Sequence, residues 1–353
     1  MNSGVNNSRN YILPFLNHEL FVIAELSGNH NQDFDLAIQM VEAAAQAGAD
    51  AIKLQTYTAE TMTLDLRQGE FVIQEKDSLW SGQSLYDLYG KASTPWQWHK
   101  ALFDRARELG MLAFSSPFDS SAVDFLESLD VPCYKIASFE NTDIPLLKKV
   151  AATGKPIILS TGMASLAEID EAVSCLRQHG AGEIALLKCT STYPAAATDT
   201  NLLTIPHMQQ AFACPVGLSD HTQGIGAAIA SVALGARIIE KHFVLDRSQG
   251  GVDAEFSIEP NELKSLIIES RRAIDALGQV TYGGTAKEEA AKRYRRSIYV
   301  AKPIKQGERF NEQNLRIVRP GLGLAPKYWE QVQGRVAAQD LEVGMPLDWT
   351  LLD

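Results

Sequence analysis

The sequence has few of the features that define several common kinds of protein. Its four cysteines, Cys133, Cys175, Cys189 and Cys214, show no Cys-x-x-Cys and no metal-finger spacing, which excludes a zinc ribbon or a disulfide framework. Most of them sit in or beside apolar runs and read as buried thiols. No apolar run approaches the roughly 20 residues that a membrane helix needs. The polar start, MNSGVNNSRN, lacks the apolar core of a secretory signal, so a reducing cytoplasm is the expected home. Positive charge is also scarce. The 32 Lys and Arg are outnumbered by 43 Asp and Glu, for a net −11, which argues against wrapping a nucleic acid. A small anionic substrate stays open, because a few local lysines can outweigh the global sign. Finally, no Gly-x-Gly-x-x-Gly follows the first apolar run, which weakens a dinucleotide-binding fold.

What the chain does have is a repeated alternation of short apolar runs with amphipathic helical stretches. FVIAEL (21–26) leads into DFDLAIQMVEAAAQAG, with Gly48 at the expected helix C-cap. AIKLQ (51–55) precedes a long polar excursion, 57–94, and then a helix around 96–110. MLAFSS (111–116), CYKIAS (133–138), PIILST (156–161), IALLKCT (184–190), CPVGLS (214–219) and RIIEKHF (237–243) complete a set of eight strands, each backed by a helix. Eight βα units over about 250 residues is the arithmetic of a TIM barrel; a doubly wound open sheet is the competing α/β architecture. The barrel is expected over residues 1–280, closed by a helix at 260–277. A linker rich in glycine and charge then spans 281–294, and a small β-rich domain 295–353.

In such a barrel the chemistry sits at the strand C-termini. Those positions hold Glu25, with Asn29, His30 and Asn31 after it; Lys53 and Gln55; Ser115 and Ser116; Lys135, Ser138 and Glu140; Ser191 and Tyr193; Ser219, Asp220 and His221; Glu240, Lys241 and His242. Two lysines with several hydroxyls suit a phosphate and a carboxylate. His221 and His242 end adjacent strands, so their imidazoles can share one divalent cation such as Mn²⁺, with positions left open for substrate. Glu25, on the first strand, completes that site or acts as a base. Each residue also has a plainer reading. Asn29 and Asn31 serve equally as caps of the first helix, a role Asp33 also favours. Lys53 and Lys135 can snorkel at a sheet edge, Tyr193-Pro194 reads as a turn, and Asp220 either orients His221 or faces away.

The strand-end motifs AELSGNHN, GADAIKLQTY, SSPFD, YKIASFE, LSDHT and IEKHF, in this order, resemble those of the sialic acid synthase family, the phosphoenolpyruvate-dependent nonulosonate synthases. The tail from RRSIYVAKPI through RPGLGLAP resembles the family's C-terminal antifreeze-like (SAF) domain. The resemblance implies condensation of phosphoenolpyruvate with an N-acetylated amino sugar. It also implies His221 and His242 as metal ligands, with Mn²⁺ expected and Mg²⁺ or Co²⁺ as alternatives, and Glu25 beside the metal. Lys53, Ser116, Lys135, Ser138, Ser191 and Ser219 match positions lining the phosphoenolpyruvate site, although Ser116 and Ser191 stand where relatives often carry Thr and Asn. Gln55, Glu140, Tyr193, Glu240 and Asp253 match positions that hold the sugar. Arg319 matches an arginine inserted into the partner's active site, which implies a domain-exchanged homodimer.

Two departures from the sialic acid pattern, Glu25–Gln32 (ELSGNHNQ) and Val252–Ser257 (VDAEFS), resemble the pseudaminic acid branch, as does the Thr94-Pro95-Trp96 turn. The acceptor implied is 2,4-diacetamido-2,4,6-trideoxy-L-altrose, for which Phe256 offers apolar cover. N-acetylneuraminate or legionaminate synthesis is the alternative. A keto-acid aldolase, metal-dependent or using Lys135 as a Schiff base, and an inactive sugar-binding protein are the more distant ones.

Overall fold

A computed structural model describes residues 13, 17, 19–75 and 78–353, so the polar start lies outside the described residues. Eight parallel strands close into a barrel in sequence order: β1 (Phe21–Glu25), β2 (Ala51–Thr56), β3 (Leu112–Pro117), β4 (Tyr134–Ile136), β5 (Ile157–Ser160), β6 (Ile184–Cys189), β7 (Val216–Asp220) and β8 (Ile238–His242). β8 returns to β1 with Glu25 opposite His242, which seals the barrel and removes the open-sheet alternative. The strands are short, rich in Ile, Leu and Val, and nearly all buried, as expected for a parallel sheet covered on both faces. β7 passes so close to β8 that a Cβ on Gly217 would lie 2.3 Å from the Ile238 carbonyl oxygen, so only glycine fits there.

The surrounding helices begin where the sequence supplies side-chain caps. Asp33, Asp119, Asp143 and Ser165 each accept a hydrogen bond from a backbone N–H of the first turn. Asp33 is therefore the cap of helix Phe34–Ala47, the role also considered for Asn29 and Asn31. That helix buries Ala37, Met40, Val41, Ala44 and Ala47 on one stripe and ends at Gly48, whose φ of 94° is left-handed. The excursion after β2 contains two short helices, Ala59–Met62 and Leu85–Ala92. Between them lies an arm pinned by an antiparallel bridge of Val72 with Ser84.

One compact unit ends at Gly278, just after the helix Pro260–Leu277, and the second runs Gln279–Asp353. The segment 281–294, expected as a linker, contains a helix, Ala286–Ala291, started by a Thr285–Glu288 capping box. The second unit pairs β9 (Ser297–Val300) with β10 (Leu315–Val318) in antiparallel fashion. It closes over its own apolar cluster, which includes Ile298, Val300, Phe310, Leu315 and Leu347.

Candidate active site

Strand pleating turns alternate residues into the barrel, and the register sets Glu25 beside Lys53 and Ser219 beside Glu240. The result is a buried chain of opposite charges. Lys53 Nζ lies 2.8 Å from Glu25 Oε2 and 3.4 Å from Glu240 Oε2, and Lys135 Nζ lies 3.5 Å from Glu240 Oε1. Ser219 donates to Glu240 at 2.9 Å, and the Ser27 N–H donates to Glu25 at 3.1 Å. The oxygens that face Lys53, Glu25 Oε2 and Glu240 Oε2, have no partner besides its ammonium. Burial, together with the charge of Glu240, pushes the Glu25 carboxyl up to about 7 against the pull of Lys53. Burial also works against the charge of Glu240, but Lys135 and Lys53 overcome it and hold that carboxyl at about 2. One acid is thus poised to exchange a proton near neutral pH, and the other is a permanent anion.

Next to Lys135 the strand ends form a cradle of hydroxyls. Lys135 donates to Ser160 at 2.7 Å, Lys53 donates to Ser116 at 3.4 Å, and Ser138 accepts from the Gly162 N–H at 3.1 Å. A Cβ on Gly162 would come within 2.1 Å of Ser191 Oγ and 2.6 Å of Ser138 Oγ, so a side chain there would occupy the hollow. Asn141 holds the rim by donating to the carbonyls of Ser160 and Gly162.

The third part is aromatic. The rings of His221 and His242 are 5.3 Å apart, Tyr193 packs 4.5 Å from His221, and Phe256 touches both histidines at 5.9 and 4.9 Å. His221 donates from Nδ1 to the Thr190 carbonyl at 2.9 Å, which leaves Nε2 with its lone pair. Burial acts to lower the His221 pKa, but the Cys189 sulfur, 3.9 Å from Nδ1, the Thr190 carbonyl and the charge of Glu240 together raise it; the shorter bond to Thr190 fixes the ring. His242 is kept neutral, chiefly by burial, and its Nδ1 is sealed from solvent with no hydrogen-bond partner. An orphaned imidazole nitrogen, on a ring 5.3 Å from a second imidazole, fits a cation held by two histidines with oxygen ligands from substrate or water. Among the described residues no group of three His, Cys, Asp or Glu converges as a ready-made cage. Asp253 lies 3.6 Å from His242 Nδ1 and is held by a short hydrogen bond from Ser27. Its backbone N–H donates to Asn29 Oδ1 at 3.1 Å.

The structure therefore gathers Glu25, Lys53, Ser116, Lys135, Ser138, Ser191, Tyr193, Ser219, Glu240, His221, His242 and Asp253 at one barrel mouth. Gln55 is half-buried, with its backbone opposite Ser116. Glu140 has Oε2 sealed without a partner, and burial pushes its carboxyl up to about 7. Arg319 lies in the second unit, exposed, directly after β10. Asp220 faces out of the barrel, where it pairs with Lys241 at 2.8 Å, so it does not orient His221. The site also contains residues with no role in the sequence reading: Ser27, Asn141, Ser160 and Gly162. Asn29, read there as a helix cap, instead clamps the β8 loop, donating to Phe243 O and Ser257 Oγ. Ser160 was accessible to the same logic, since it ends β5 as Ser219 precedes the end of β7.

The chain belongs to the NeuB family, whose model matches residues 40–282, and a SAF domain follows at residues 295–353. Among its curated relatives it is 44% identical to the pseudaminic acid synthase of Helicobacter pylori, over 92% of this chain and 96% of that protein. It is 38% identical to the N,N'-diacetyllegionaminic acid synthase of Campylobacter jejuni, over 90% of this chain and 96% of that protein. A crystal structure of the N-acetylneuraminic acid synthetase of Leptospira borgpetersenii, in complex with citrate, superposes with a TM-score of 0.70 at 34% identity. That match covers 80% of this chain and 95% of that one. The family, the barrel-plus-SAF architecture and the synthase class expected from the strand-end motifs are borne out. No helix among the described residues is long and apolar enough to cross a membrane.

Proposed function

We propose that this chain is a pseudaminic acid synthase. It condenses phosphoenolpyruvate and water with 2,4-diacetamido-2,4,6-trideoxy-L-altrose and releases phosphate by C–O cleavage. The observation that carries the reading is the buried Glu25–Lys53–Glu240–Lys135 chain, flanked by a hydroxyl cradle on one side and two histidines on the other. Lys53 and Lys135, with Ser116, Ser138, Ser191 and Ser219, hold the phosphate and carboxylate of phosphoenolpyruvate. Gln55, Glu140, Tyr193, Glu240 and Asp253 hold the sugar. His221 and His242 would hold a divalent ion, Mn²⁺ in first place, with Mg²⁺ and Co²⁺ as alternatives. When bound, the ion supplies Lewis-acid polarisation of the acceptor aldehyde.

C3 of phosphoenolpyruvate attacks the aldehyde carbon, the carbonyl π pair moves to oxygen, which takes up a proton to become a hydroxyl, and positive charge develops at C2. Glu25, with its carboxyl raised to about 7, takes a proton from the water that captures C2. The tetrahedral species then expels phosphate, whose charge Lys53, Lys135 and the serine hydroxyls stabilise. Arg319 reaches the partner's site in a domain-exchanged homodimer, and the enzyme works in the cytoplasm.

The test is phosphate release from phosphoenolpyruvate against the altrose, N-acetylmannosamine and the legionaminate precursor, with and without EDTA. Preference for the altrose is expected, and equal rates with N-acetylmannosamine would overturn the acceptor. In oxygen-18 water the phosphate should stay unlabelled, and label in the phosphate would rule out C–O cleavage. Equilibrium dialysis should find one Mn²⁺ per chain, lost in His221→Ala. Sedimentation should give a dimer.

A further inference from the structure

The excursion after β2 sends an arm across the barrel mouth, and one residue on it is not used by the chemistry above. Bonds from Ile73 N–H to Gln83 O and from Gly82 N–H to Ile73 O, at 3.0 and 2.8 Å, tie the two sides of the arm together. Trp80, near its tip, donates its indole N–H to the Val252 carbonyl at 3.1 Å, next to Asp253. Its ring lies 6.1 Å from Tyr193, which packs in turn on His221 and Phe256. A line of aromatic rings therefore runs from the paired histidines outward to Trp80. Beyond it opens a cavity of about 570 Å³, lined by Trp80, Gln83, Asn31, Lys91, Val252 and Glu255 among others.

We infer that Trp80 is the outer wall of the acceptor subsite and selects a sugar with two acetamido groups over one with a single acetamido group. This rests on the function proposed above. With the aldehyde carbon at the histidines, the far end of the acceptor extends along the aromatic line. Its second acetamido group, a flat amide ending in a methyl, then meets the indole. An aromatic face suits such a group because it covers the methyl and stacks on the amide without needing a matched charge. The backbone bond to Val252 fixes the ring in place, so its packing is prepared before the sugar arrives.

The experiment compares Trp80→Ala and Trp80→Phe with the unaltered enzyme, using phosphoenolpyruvate and either the diacetamido sugar or N-acetylmannosamine. In Trp80→Ala the KM for the diacetamido sugar should rise about tenfold, while the KM for phosphoenolpyruvate stays within about twofold and the preference for the second acetamido group collapses. Trp80→Phe should recover most of the loss. In parallel, tryptophan fluorescence titrated with the diacetamido sugar alone should change in the unaltered enzyme and not in Trp80→Phe. If Trp80→Ala, confirmed folded by its melting temperature, keeps both sugar KM and selectivity, the inference is wrong. If it misfolds, a fluorescence change in Trp80→Phe as large as that in the unaltered enzyme is the refuting result. A different failure, in which the unaltered enzyme turns over none of the sugars, strikes the proposed function and not Trp80.

Discussion

Strands β7 and β8 carry two buried charge systems within a few residues of each other, one inside the barrel and one outside. Outside, Lys241 donates to Asp220 Oδ2 at 2.8 Å and to the Thr222 carbonyl at 2.6 Å. The remaining oxygen of Asp220 accepts from the N–H and hydroxyl of Thr222 at 2.9 and 2.8 Å. Inside, Glu240 and Glu25 each keep an oxygen whose one partner is the shared Lys53 ammonium, and His242 Nδ1 has no hydrogen bond. A saturated pair holds a loop in place. An unsaturated one costs stability, and in a barrel mouth it is the sign of a group kept ready for something that arrives. Adjacent residues in sequence, Ser219 and Asp220 or Glu240 and Lys241, thus belong to different tasks because the strand pleat sends them to opposite faces.

The comparison can be tested by removing one member from each side. The largest effect should follow Glu25→Gln, which removes the proton acceptor: phosphate release should fall by about 10³-fold while the melting temperature at pH 8 does not drop. A clear loss of stability with activity retained would reverse the assignment. On the outer side, Lys241→Met leaves the Asp220 carboxylate buried without its cation, and should cost about 3–5 kcal/mol in urea unfolding. A change under 1 kcal/mol would mean the outer pair is no more than a solvated contact.

The pH profile sharpens the inner side. Activity that needs ionised Glu25 should fall about tenfold per unit as pH drops below its pKa near 7, because the raised pKa leaves the carboxyl protonated there. Linkage runs the opposite way for stability. A carboxyl raised from 4.5 to about 7 favours the folded state fully below its unfolded value, and that contribution is lost as pH rises through 7. The smallest effect is expected at the cradle. Gly162→Ala should raise the KM for phosphoenolpyruvate about tenfold, with little change in the KM for the sugar, since its methyl group displaces the Ser138 and Ser191 hydroxyls.

The barrel was legible because each strand is a short apolar run, and all eight fall within a few residues of the expected bounds, from Phe21–Glu25 to Ile238–His242. The gathering of His221, His242, Glu25 and the two lysines at one mouth was legible because strand ends are where a barrel places its chemistry. What stayed hidden depends on side-chain direction and on contacts across the ring. Asp220 could not be assigned without knowing which face it takes. Asn29 read as a helix cap because its real partners, Phe243 and Ser257, lie more than 200 positions away. Gly162 has no chemistry of its own, and only the hollow it leaves between two serines gives it meaning. Trp80 sat in a polar excursion with no periodic pattern to fix where its tip would land.

The inner chain has one further consequence. Without a divalent ion, two glutamates facing two lysines make the mouth close to neutral when Glu25 is ionised, so an arriving phosphate dianion brings uncompensated negative charge into a buried space. The group best able to absorb it is Glu25, whose carboxyl already stands near 7. Phosphoenolpyruvate binding to the EDTA-treated protein near neutral pH should therefore draw protons from solution. Calorimetric binding heats measured in buffers of different ionisation enthalpy would then differ in proportion, and that proton uptake would disappear in Glu25→Gln.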